Sequence, residues 1–179
     1  TPRGGSTFLH RFMEEHFDLC SFRVWQMVMP SLTGQKLMKP FVKYFARFAP
    51  VQHGKVAHDT GLDAIETDDA IFGVRFIDGF LLYCWWLAWD EKDHSHLFAT
   101  MEPDSPQTER DLNFYDKCLK RNLHQNPGKR VLGKPFNFSM RAEAALKRYP
   151  DAKLIYVVRD PEQMLPSVMS LLTNLADMR

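Results

Sequence analysis

The chain has 179 residues and a formal net charge of +1, long enough for one domain with a sizeable core and too evenly charged for a broad nucleic-acid footprint. Hydrophobic residues make up 45% and charged residues 25%, which excludes a disordered or fibrous chain and fits a soluble globular one. The three cysteines, Cys20, Cys84 and Cys118, stand too far apart for a disulfide framework or a zinc site, and such sparse thiols point to a reducing, cytoplasmic setting.

Taken in chain order, the first predicted element follows Gly5. Phe8, Leu9, Phe12, Met13 and Phe17 recur at helical spacing. Next, Lys36, Lys39, Lys43 and Arg47 recur every three or four residues, with Leu37, Phe41, Tyr44, Phe45 and Phe48 on the other side. That pattern predicts a basic amphipathic helix over 36–48, begun or bent at Pro40. "DAIETDDAIFGVRF" places acids before an apolar run, as at a helix start. The stretch "IFGVRFIDGFLLYCWWLAW" carries Arg75 and Asp78. A membrane span needs roughly 20 mostly uncharged apolar residues, so this run reads as core. "SPQTERDLNFYDKCLKRNLHQ" predicts a helix stopped at Pro127-Gly128, "RVLGKP" a short strand, and "SMRAEAALKRYP" a helix ended by Pro150. "KLIYVV" has the composition of a strand buried on both faces, and Pro161 suits the first turn of a following helix. Strands alternating with helices late in the chain predict an α/β fold with a parallel sheet.

Two stretches carry chemistry. In "TPRGGSTFL" the helix start offers unpaired N–H groups and a partial positive charge. Gly4 and Gly5 let the backbone approach an anion closely, Ser6 and Thr7 add hydroxyls, and Arg3 adds a charged fork. Together they form a candidate phosphate or sulfate cradle. It is not a Walker A loop, because GxxxxGK[ST] is absent. In the second stretch Arg159 follows the apolar run, at the end of a strand where α/β sheets bind ligands, and Ser167 lies about two turns into the next helix. An arginine and a serine so placed can grip one phosphate from two sides.

The pair of motifs resembles the sulfotransferases that use 3′-phosphoadenosine 5′-phosphosulfate (PAPS), a broad group with many bacterial members. Pro2, Arg3, Gly5, Ser6, Thr7 and Leu9 fall on that family's first loop, with Gly4 where the family usually has serine. Tyr149 to Lys153, Arg159, Asp160, Pro161 and Ser167 fall on its second motif, and Lys134 of "RVLGKP" on its strand-end lysine. The resemblance implies a P-loop-like three-layer fold, a central parallel sheet flanked by helices. It implies that Arg3, Gly4, Gly5, Ser6 and Thr7 hold the 5′-phosphosulfate and that Arg159 and Ser167 hold the 3′-phosphate. Adenosine 3′,5′-bisphosphate would be the product. The family's loop follows a strand, and the family continues beyond the second motif. The single domain over 1–179 is therefore expected to be incomplete at both ends.

Sulfuryl transfer, like phosphoryl transfer, rests on in-line positioning and positive charge. Arg3 and Lys134 are the candidate catalytic cations, and no metal is expected. The general base is open. Gln26 stands where some members carry a glutamate, and glutamine cannot accept a proton. His58 is favoured, then Glu66, with His53 nearby in sequence. Phe76, Phe80, Leu81, Tyr83, Trp85, Trp86 and Trp89 crowd one segment between the motifs. Their crowding points to a small hydrophobic or lipid acceptor with a hydroxyl or amine, not a polysaccharide. The 36–48 helix is a candidate for peripheral contact with an anionic membrane. A P-loop kinase-like phosphotransferase and a non-catalytic nucleotide-fold module remain the alternatives.

Overall fold

The structure is a computed structural model, and it describes residues 4–45, 62–65, 76, 90–94, 102–134 and 141–177. Helix α1 spans Ser6–His16, strand β1 Leu19–Cys20, α2 Val24–Val28, α3 Leu32–Phe45, α4 Pro106–Gln125, β2 Arg130–Val131, α5 Ala142–Arg148 and α6 Pro161–Asp177.

Strands β1 and β2 pair in parallel, with Leu19 opposite Arg130 and Cys20 opposite Val131. The ladder closes through Arg130 N–H to the Asp18 carbonyl (3.2 Å) and Leu132 N–H to the Cys20 carbonyl (2.9 Å). Parallel strands require a crossover; here it contains α2, α3 and α4. The α/β character and the parallel sheet hold, but the expected sheet is represented by two strands among the described residues.

Helix α4 organises the core. Its start is specified locally: the Ser105 hydroxyl accepts from Thr108 N–H at 3.1 Å, and Pro106 takes the first turn. Such a cap contributes about 1 kcal/mol. Its end is equally local, since Gly128 sits at φ 82°, a region that β-carbons disfavour. One face of α4 packs Leu112, Tyr115 and Cys118 against Phe22, Met27 and Ala144. Asp111, buried on the same helix, takes Arg141 at 2.6 Å and Arg110 at 2.7 Å, which ties α5 to α4. A buried carboxylate is tolerated because two guanidinium groups compensate it. Burial raises the thiol pKa of both Cys20 and Cys118, which stand as free cysteines.

Three expectations can be set against the structure. The basic helix begins at Leu32, so Pro40 lies inside it and does not start it. Phe76, counted among the candidate acceptor walls, is half-buried and packed against the core. It packs edge-on to Phe114 with ring centroids 5.4 Å apart, and the Arg110 guanidinium lies 3.9 Å from its centroid. A cation over one ring and an edge contact to another hold this ring in place at the border of the core. Phe80, Leu81, Tyr83, Trp85, Trp86 and Trp89 lie outside the described residues. The largest correction concerns 153–158, expected as a strand buried on both faces. It runs outside the two-stranded sheet, with Ile155 57% and Val158 75% exposed. Apolar composition makes a strand only where ladder neighbours and covering helices exist, and the described sheet supplies neither to this run. The helix after it forms as expected from Pro161, with Asp160 Oδ1 accepting from Glu162 N–H at 2.9 Å.

Candidate functional site

The first loop is built around Gly5. It caps α1 at φ 94°, ψ 9°, a left-handed conformation, and no side chain caps the helix. A β-carbon at Gly5 would meet nothing within 4 Å, so the loop faces open space there. An uncapped helix start leaves backbone donors available to an anion. Thr7 lies in the first turn, and its hydroxyl oxygen accepts from Lys134 Nζ at 3.0 Å. Lys134 follows β2 by three residues, so the first loop and the strand-end lysine meet in space. The lysine ammonium thus stands at the mouth of the helix start, where it adds a full charge to the partial charge of the dipole.

A second set of contacts fixes this meeting from below. His10 is buried, at 4% exposure, on the inward side of α1. Its Nε2 lies 2.7 Å from Ser21 Oγ and 3.3 Å from the Leu132 carbonyl. A carbonyl can only accept, so Nε2 carries the proton and Nδ1 is bare. Burial, and then the nearby Lys134 charge, lowers the imidazole from 6.5 to about 4, which keeps it neutral. One turn further, Glu14 accepts from Ser21 N–H at 3.2 Å and pairs with Arg23 at 3.2 Å. Helix α1 is therefore bolted to the exits of both strands, and Leu132 lies two residues before Lys134. Sequence reasoning missed His10. A histidine at an apolar position of a helix following an anion loop was the signal available.

The second motif is looser. Arg159 is exposed, and its guanidinium donates to Gln163 Oε1 at 3.4 Å, a local contact. Ser167 is half-buried on α6.

Gln26 has a local role. Its Oε1 accepts from Arg23 N–H at 2.9 Å, closing the first turn of α2. It also lines a small cleft with Gln35, Arg121, Asn122 and Gln125 over Phe22 and Cys118. The segment 62–65 crosses the same place: Val24 N–H bonds the Ala64 carbonyl, and Ile65 bridges Arg23. Glu66 follows directly in sequence. Arg3, His53, His58 and Glu66 themselves lie outside the described residues.

Neither a search of curated proteins nor one of solved structures found a match. The family model described as "Sulfotransferase family" matches residues 1–179, the whole chain. With a glycine-turned helix start, an adjacent lysine and this match over its full length, the chain belongs to the sulfotransferase family.

Proposed function

We propose that the chain transfers a sulfuryl group from PAPS to a hydroxyl or amine of a small hydrophobic acceptor. The observation that carries this reading is the 3.0 Å contact between Lys134 and Thr7, which sets a cation beside an uncapped helix start. Four features suit an anionic donor: donors on the backbone, no β-carbon at Gly5, a hydroxyl at Thr7 and a positive charge at Lys134.

Gly4 to Thr7 hold the phosphosulfate end by backbone and hydroxyl donors, with Arg3 closing on it. Lys134 moves from Thr7 to the bridging oxygen as that bond to sulfur breaks, and it neutralises the phosphate that leaves. Arg159 and Ser167 hold the 3′-phosphate. The acceptor oxygen or nitrogen forms the new bond to sulfur, and its proton passes to His58 or, failing that, Glu66. Charge stabilisation rests on Arg3 and Lys134, so transfer proceeds without an added divalent metal. Phe80, Leu81, Tyr83, Trp85, Trp86 and Trp89 supply apolar walls for the acceptor.

The test is transfer of labelled sulfate from PAPS to a panel of phenols, sterols, long-chain alcohols and heparan-type oligosaccharides, with and without chelator. Label on the apolar acceptors, insensitive to chelator, is expected. Label confined to the oligosaccharides would refute the acceptor class. Nucleotide binding without any transfer would refute the activity and leave a non-catalytic module.

A further inference from the structure

We infer that α3 docks the protein onto an anionic lipid surface. The helix carries three faces. Successive residues turn by about 100°, so Leu37, Phe41 and Tyr44 fall within about 60° of arc, and Lys36, Lys39 and Lys43 fall within another. Gln35 and Val42 form the third face, and both are buried against the protein. The apolar face is outward: Leu37 is 69% exposed, Phe41 50% and Tyr44 58%. The lysine face is exposed as well. The sequence Leu32–Phe45 contains no aspartate or glutamate.

Other described helices also expose large apolar residues, but they lack this charge pattern. Helix α1 shows Phe8 and Phe12 beside Glu14 and Glu15, and α6 shows Leu165 and Met169 after Glu162. Among the described helices, only α3 carries an exposed apolar stripe together with cations and no acidic residue. The net charge of the chain is +1, so the basic face is a local concentration and not a general excess.

A lipid surface fits both faces at once. Leu37, Phe41 and the Tyr44 ring enter the boundary between headgroups and acyl chains. The lysines lay their methylene stems along it and bring their ammonium groups to anionic headgroups. An acidic protein would satisfy the lysines and leave the apolar stripe in need of a groove. No described helix is long and apolar enough to cross a membrane, so α3 lies on the surface and does not span it. This inference is independent of the reaction.

The test is co-sedimentation of the whole chain with vesicles of phosphatidylcholine and phosphatidylserine, against phosphatidylcholine alone. Binding to the anionic vesicles, weakened by salt, is expected. Each lysine near an anionic surface is worth about fivefold in binding, so the combined Lys36→Gln, Lys39→Gln, Lys43→Gln variant should lose about a hundredfold. Leu37→Ser with Phe41→Ser should remove the binding that survives high salt. Circular dichroism confirms that each variant is folded. Should the serine variant unfold, Phe41→Trp replaces it, and its emission should be quenched by lipids brominated near the headgroup. Equal binding to both vesicle types, lysine variants that bind as before, or an unquenched Trp would each overturn the proposal. So would capture by polyglutamate with no vesicle binding, which would assign the face to an acidic protein.

Discussion

The two motifs proposed to bind the anionic donor are built in different ways. The first loop is locked by contacts that span most of the chain: Lys134 to Thr7, and His10 to Leu132. The second motif is held by neighbours. Asp160 caps α6, Arg159 reaches Gln163 and the run before it stands exposed. Charge arrives at the first half through tertiary packing. At the second half it is carried on an exposed arginine that reaches a neighbour four residues on. On the proposed reading, the difference would leave the sulfate end preorganised for chemistry and the 3′-phosphate end more dependent on the ligand for its order.

The sharpest way to break this comparison is Lys134→Ala. Removing one preorganised donor of transition-state charge costs about 10²- to 10³-fold in turnover, and single-turnover sulfate transfer should fall by that much. Lys134→Arg should recover part of it. A loss confined to KM would place Lys134 outside the reacting centre. Arg159→Ala comes next. Charge-assisted hydrogen bonds are worth roughly 1.5–3 kcal/mol, so affinity for adenosine 3′,5′-bisphosphate should drop about ten- to a hundredfold. Preference over adenosine 5′-phosphate should vanish with it, while the melting temperature stays put because Arg159 is exposed. Calorimetric titration of both nucleotides decides the matter, and an unchanged preference would remove Arg159 from the 3′-phosphate.

His10 separates stability from binding. His10→Ala leaves buried partners at Ser21 and Leu132 unmatched, at a cost of about 1–3 kcal/mol in denaturant unfolding. Its pH signature has a definite sign. The folded imidazole titrates at about 4 and the unfolded one at 6.5, so between those values the unfolded chain binds more protons. Stability is therefore full above pH 6.5 and declines as pH falls toward 4. His10→Gln should flatten that window, and a slope unchanged in the variant would show that another group sets it. The smallest effect belongs to Gly5→Ala. A β-carbon at φ 94° costs about 1–2 kcal/mol locally. Because open space surrounds it, the loop should keep its fold and lose mainly anion affinity.

Much of this was legible in local sequence. Ser105-Pro106 and Pro127-Gly128 bracket α4, and Asp160-Pro161 opens α6, because caps and turns act within a few residues. The loop and its lysine were legible as a pattern, though not their contact. What could not be read was direction. The spacing of Phe8, Phe12 and Phe17 marks a helix, yet those rings face outward and His10 faces in. Periodicity reports a face and leaves open what it meets. Likewise "KLIYVV" reports strand propensity, while strand formation depends on neighbours that a single segment cannot name. Strand β1, two residues long, is too short to leave any period at all.

The parallel pairing of β1 with β2 also governs how the protein acquires its site. Asp18 and Arg130 meet only after the chain between them has closed on itself. Each doubling of such a loop costs about 0.6 kcal/mol, and non-local pairing slows folding. Helix α4, with its own cap and closing turn, can form early. The junction of Thr7 with Lys134 can form only once that long closure is complete. An anion that binds at this junction recognises the finished fold and nothing before it, so the proposed product, adenosine 3′,5′-bisphosphate, should act as a late-stage folding ligand. It would slow unfolding and raise the melting temperature with concentration, even in a variant that has lost all turnover.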